Sequence, residues 1–179
     1  RIDSSSDTLV SQNDESFKYF KYYQEIFPTK NSLIIAIKSQ KKINNKLLKE
    51  IKDLSDKIEK IPEVYSIFNI NKAPILFSNE MNLIDLSKNN YETLDNTDTD
   101  INIILEEFSK SPIYSNQIIN EDKNVTSIII YLKPNLKLID LKNNKDLYLK
   151  NNTYYLKKTE IDKERNLLIN KIRNILDNA

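Results

Sequence analysis

Apolar positions along the chain change period several times, and each change predicts an element. Phe17, Phe20, Tyr23 and Phe27 recur at three- and four-residue spacing, which predicts a helix capped by Ser11 or Asn13 and ended by Pro28. Ser32 to Lys38 is a short, nearly continuous run of β-branched residues. It reads as a strand buried on both faces. Ile43, Leu47, Leu48, Ile51, Leu54, Ile58 and Ile61 make the clearest helical stripe, stopped by Pro62. Val64 to Ile70 then alternates as a second strand. Strand, helix and strand form a βαβ-type unit or the opening half of a split, ferredoxin-like one.

Periodicity fades from Asn71 to about Asp100, where Pro74 and repeated Asn mark an irregular insertion with short helices near Met81 to Leu86. Ile101 to Phe108 predicts a short helix capped by the acidic run ending at Asp100, and Pro112 breaks it. Tyr114 to Ile119 reads as a short extended stretch. Val125 to Lys133, centred on Ile128, Ile129 and Ile130, predicts a third strand closed by Pro134. Leu136 to Leu156 is either a hairpin turning at Asn151-Asn152 or a loose loop. Thr159 and Asp162 read as a capping box opening a last helix through Ile161, Leu168, Ile172, Ile175 and Leu176. The expected fold class is α+β, a ferredoxin-like split βαβ with a long irregular insertion. The sequence ends where its last strand would follow.

Length and composition suit one domain, residues 1–179. Residues 1–70 hold a helix plus the βαβ half, 71–113 the insertion and 114–179 the second half. A chain of this size buries about 70% of the surface it exposes when unfolded. The longest apolar runs, Leu33 to Ile37 and Ile128 to Leu132, are five residues, far short of the roughly 20 a spanning helix needs. Arg1 opens the chain and Met81 is its only methionine, which reads as a piece of a longer protein.

What is missing narrows the chemistry. There is no Cys, His or Gly. That removes thiolate and imidazole catalysis, zinc–thiolate sites and the glycine loops of nucleotide binding and nucleophile elbows. Formal net charge is +1, which does not point to nucleic acid. From Lys133 onward 11 basic residues face 6 acidic ones, a patch best read as solvated helix and loop surface.

Several constellations carry weak chemical signals. Ser39 and Lys42 match serine–lysine spacing, but a strand-to-helix turn explains them better. Asn96, Asp98, Asp100 and Glu107 resemble a calcium loop that lacks its leading Asp and has Ile101 where Gly is required, so helix capping is preferred. Glu106 and Glu107 are adjacent, hence about 100° apart on a helix, and read as a solvated face. Tyr19, Phe20, Tyr22 and Tyr23 are densest among the aromatics and read chiefly as core. The sequons at Asn124 and Asn151 follow from Asn-richness. No catalytic, cofactor-binding or metal-binding residue is assigned, no cofactor is expected, and the substrate-binding residues are left unassigned. An enzyme is the disfavoured class.

The opening Arg1-Ile2-Asp3-Ser4-Ser5-Ser6-Asp7-Thr8-Leu9, with Asp14, the aromatic helix and Phe27, resembles the segment after the first membrane helix of RND-superfamily exporters of the MMPL and hopanoid-transporter-like type. Pro28 stands where that pattern has Gly. Ile61-Pro62-Glu63-Val64-Tyr65-Ser66-Ile67 resembles the family's I-P-G-V-x-S-V, with Glu63 in place of Gly. Ser111-Pro112-Ile113-Tyr114, then Ile118, Ile119, Asp122 and Thr126 to Leu132, resembles the stretch before its third strand. The resemblance covers most of residues 1–135 in order and weakens afterwards.

It implies an extracytoplasmic porter domain between the first two transmembrane helices of a proton-driven exporter in a bacterial inner membrane, this part on the periplasmic side. Implied partners are a hydrophobic or lipid cargo, the neighbouring porter domain and membrane helices of the parent, and a periplasmic partner protein. Nucleic acid is not among them. The competing reading is an extracellular sensor or protein-interaction domain of a membrane protein.

Overall fold

The computed structural model describes Tyr19, residues 31–78 and residues 91–178. The predicted helix ending at Phe27 and the short helices near Met81 lie outside the described residues, Tyr19 apart. The chain divides into two units, Arg1–Asn31 and Ser32–Ala179, and the architecture below is that of the second.

The protein is a mixed α+β fold with a small three-stranded antiparallel sheet and, among the described residues, five helices. In chain order these are β1 (Ser32–Lys38), α1 (Asn45–Glu59), β2 (Val64–Asn69), α2 (Ile101–Lys110), β3 (Val125–Leu132), α3 (Leu136–Asn143), α4 (Lys145–Lys150) and α5 (Tyr154–Asp177). The sheet order is β1-β3-β2, with β3 antiparallel to both neighbours. β1 and β2 therefore run parallel, joined by α1, with β3 inserted between them. Where β2 ends, residues 118 and 119 continue beside β3: Ile119 bridges Thr126, and Ser127 N–H donates to Ile118 O at 3.3 Å.

The strands and helices that match expectation rest on local devices that the structure displays. Asn44 caps α1 through its side chain, which accepts from Leu47 N–H at 3.1 Å. α1 turns Leu48, Ile51, Leu54 and Ile58 inward, as its stripe predicts. Asp100 caps α2 by accepting from Asn102 N–H at 2.7 Å. Ile67, Ile128 and Ile130 come up from the sheet to meet α1, and Phe108 of α2 and Ile172 of α5 close the same core. Phe108 and Tyr114 meet edge-on, ring centroids 4.9 Å apart.

Four expectations are corrected. β1 is covered on one face only: Leu33, Ile35 and Ile37 pack on the core, while Ile34 is 68% exposed. Among the described residues, the helices that cover β1 lie on the core side alone. Residues 114–119 are a turn with isolated bridges, held by Ser115 N–H and Ile118 N–H donating back to Ser111 O and Tyr114 O. Residues 136–156 are helical. Leu and Lys are strong helix formers, and Asn135 caps α3 by accepting from Leu138 N–H at 3.0 Å.

Asn151-Asn152 is a helix stop, not a hairpin turn. Asn152 has φ 56°, its N–H donates to Leu149 O, and Thr153 N–H donates to Tyr148 O. That is the Schellman pattern with Asn in the left-handed position. Both hairpin and helix stop demand positive φ, so the dipeptide alone does not separate them. The capping box at Thr159 also fails, because α5 already starts at Tyr154 and the Thr159 hydroxyl donates to Tyr155 O at 2.8 Å.

Buried polarity concentrates at the end of β2. Asn69 is 1% exposed; its amide donates to Ser55 Oγ of α1 at 2.8 Å, and its Oδ1 accepts from Asn71 N–H and Lys72 N–H. Asn71 Nδ2 donates to Leu48 O at 2.8 Å. Replacing Asn69 by Ala strands two backbone donors and a hydroxyl in a buried site. Urea unfolding of Asn69→Ala should show a loss of about 2–4 kcal/mol. A loss near zero would mean that these groups find other partners.

Candidate functional site

Two neighbouring carboxylates on α2 do different work because they point to different sides of the helix. Glu106 faces two ammonium groups: Lys110 one turn on, at 2.8 Å, and Lys123 from the loop before β3. Lys110 chiefly, with Lys123 next, holds its carboxyl down to about 2. Glu107 faces the chain leaving the sheet. It accepts from the N–H groups of Leu76 at 2.7 Å, Phe77 at 3.2 Å and Ser78 at 2.8 Å, and from the Ser78 hydroxyl at 2.5 Å. Burial pushes the Glu107 carboxyl up, but the Ser78 hydroxyl and the three backbone donors outweigh it, and the net position is below the usual range. Beside it, burial first and the Glu107 charge second push the Tyr114 phenol up to about 12. That hydroxyl donates to Pro74 O at 2.9 Å.

Residues 76–78 and α2 together frame a shallow surface groove of about 660 Å3. Phe77, Ile103 and Pro112 give it an apolar lining, and Ser78, Glu106 and Lys110 give it a polar one. Phe77 and Ile103 are both largely exposed. An apolar strip beside a fixed ion pair suits an amphipathic or extended apolar ligand. Compared with protein-family models, curated proteins and solved structures, the chain has no significant match.

The candidates read from sequence do not converge on this groove as a set. Ser39 closes β1, and its hydroxyl oxygen accepts from Lys41 N–H at 3.2 Å in the turn to α1, the bland role expected for it. Asn96 Oδ1 accepts from Thr93 N–H and Oγ1, Asp100 caps α2, and Glu107 ties down residues 76–78. The calcium-loop spacing is thus divided among three tasks. No group of three or more acidic side chains is gathered for a metal among the described residues. Tyr19 is exposed, and Phe20, Tyr22 and Tyr23 lie outside the described residues. Asn124 is tied to Asn120, its N–H donating to Asn120 Oδ1 at 3.0 Å and its Oδ1 accepting from Asn120 Nδ2 at 2.8 Å.

Phe77, Ile103 and Lys123 carry no sequence signal. Phe77 sits in the aperiodic insertion, and Lys123 reaches Glu106 only through a turn in which its own φ is 57°.

Glu107 carries a pH dependence of defined sign. A carboxylate held below its unfolded value stabilises the fold above the ordinary Glu range, and loses that effect as pH falls through the lower, folded value. At neutral pH, Glu107→Gln should cost about 1–2 kcal/mol in urea unfolding, a modest figure because the group is half in solvent. The gap between variant and parent should narrow steadily as the buffer is taken below the normal Glu range. A gap independent of pH would contradict the assignment.

Proposed function

We propose that the chain is an extracytoplasmic porter domain of a proton-driven RND-type exporter of lipids or other hydrophobic compounds. The observation that carries this reading is the sheet topology. Parallel β1 and β2 flanking an antiparallel β3, with α1 and α5 packed together in one core, is the arrangement expected for the first three strands of a ferredoxin-like fold. Such a sheet adds a fourth strand outside its first, and among the described strands β1 pairs on one side only. The motif resemblances fall on structural joints of this frame: Ile61 to Ile67 on the turn into β2, and Ser111 to Leu132 on the path from α2 through β3.

Two surfaces fit the role. Ile34, Ile129 and Phe68 are cross-strand partners in one apolar row, of which Ile34 is exposed and Ile129 and Phe68 are half-buried, and a neighbouring porter domain would complete their cover. The groove beside α2 offers an apolar strip of the kind a hydrophobic cargo would follow. Hinge or shear motion of the domain would supply the transport stroke, and the ion-coupling residues would belong to membrane helices. Among the described residues no helix is long and apolar enough to cross a membrane.

The test is topological. In the native gene, reporter fusions at positions within residues 32–178 should give active alkaline phosphatase and inactive cytoplasmic reporters, with a hydrophobic span on the N-terminal side of Arg1. Cytoplasmic reporter activity, or a native gene with no hydrophobic span on either side, would refute the reading. A single preceding span leading to a signalling domain would favour the sensor alternative instead.

A further inference from the structure

Residues 135–158 form a helical corner, α3, α4 and the first turn of α5, that buries little of its own apolar surface. Leu141 and Ile161 are buried, yet neither belongs to the main core around the sheet. Leu136, Ile139, Leu147, Leu149, Tyr155 and Leu156 are all exposed, with Leu136 at 75%, Leu156 at 72% and Tyr155 at 70%. At about 100° per residue, Leu136 and Ile139 fall on the face of α3 opposite Leu141. They therefore point away from the buried side of the corner and stand exposed. Single exposed leucines are ordinary, but a run of large apolar side chains this dense on short connected helices marks an interaction surface.

The charge around them is one-sided. The same residues hold Lys137, Lys142, Lys145, Lys150, Lys157 and Lys158 against only Asp140 and Asp146, in a chain whose net charge is +1. Lys137 is already paired with Glu164 at 2.5 Å, and Lys157 lies over the Tyr148 ring at 4.5 Å. Asp140 is taken up by the Tyr148 hydroxyl at 2.6 Å and the Asn144 amide at 2.8 Å. The acidic offset is thus partly spent on internal bonds, and the weight falls on Lys142 and Lys150, with Lys145 held more loosely, 6.0 Å from the Tyr154 ring centroid.

We propose that this corner docks on the surface of an anionic lipid bilayer. Its leucines and Tyr155 would enter the boundary between headgroups and acyl chains, and its lysines would meet lipid phosphates. Short amphipathic helices with Leu and Tyr among Lys bind such interfaces by burying the apolar side chains while long lysine stems carry the charge outward. A second copy of the chain is a poor occupant, because two corners of the same positive sign would repel. A nucleic acid would satisfy the lysines and leave the leucines in water. The inference rests on exposed side chains alone and does not depend on the transporter reading.

The test is vesicle flotation with the full chain, using vesicles of phosphatidylcholine alone and of phosphatidylcholine mixed in equal parts with phosphatidylglycerol. Binding should be confined to the anionic vesicles and weaken as salt rises. Leu147→Glu with Leu156→Glu, and separately Lys142, Lys145 and Lys150 each changed to Glu, should each reduce it at least about tenfold. Because all five side chains are exposed or lie on short surface helices, circular dichroism should show the variants folded. Equal binding to neutral vesicles would overturn the proposal. So would anionic binding unaffected by the leucine changes, or a concentration-dependent dimer in light scattering that the same leucine changes abolish.

Discussion

The Asn69–Ser55 hydrogen bond fixes the geometry on which the other elements depend. It joins the last residue of β2 to the inner face of α1 at a point where neither group can reach water. The oxygen of that amide organises the next turn of chain, accepting from Asn71 N–H and Lys72 N–H, and Asn71 Nδ2 then anchors to the α1 carbonyl of Leu48. A crossover helix held only by isoleucines could slide along a sheet of isoleucines, since apolar contact is not directional. Two buried amides restrict that freedom, because sliding the helix would break the Asn69 bond to Ser55 and the Asn71 Nδ2 bond to Leu48 O inside the core. They also set the angle at which the chain departs toward α2.

That departure explains why adjacent glutamates on α2 act so differently. One closes an electrostatic contact with the loop that launches β3, and the other gathers three successive backbone donors from the segment leaving β2. Together they bridge the two long connections of the fold across a single helix. The groove between these connections is therefore shaped by charge at its rim and lined by Phe77, Ile103 and Pro112. Phe77 is presented at the surface on a backbone whose N–H is committed to Glu107.

How legible each part was follows from how local its cause is. The three strands and α1 and α2 were read correctly because caps, prolines and periodicity lie within a few residues of what they control. β1 was misjudged on one face, since an uninterrupted apolar run says nothing about how many layers a sheet has. Residues 136–156 read as hairpin or loop because the leucines and Ile139 occupy all sides of α3, so no stripe appears. The missing stripe is itself informative, since the excess leucines are the exposed ones. The groove is not legible in the sequence, as Phe77 and the α2 residue Ile103 come from separated segments joined only by tertiary contacts.

Among the described residues, positive-φ positions are filled by Asn116, at φ 60°, and by Lys123 and Asn152, in a chain with no glycine to take them. Asparagine tolerates that conformation best among the remaining residues. It is also the residue most prone to cyclise onto the following backbone nitrogen and hydrolyse to aspartate, fastest when glycine follows. Here Asn116 is followed by Gln117 and Asn152 by Thr153, both bulkier at the attacking nitrogen. Two of the three left-handed positions among the described residues are thus built from a chemically ageing side chain without the partner that hastens its decay.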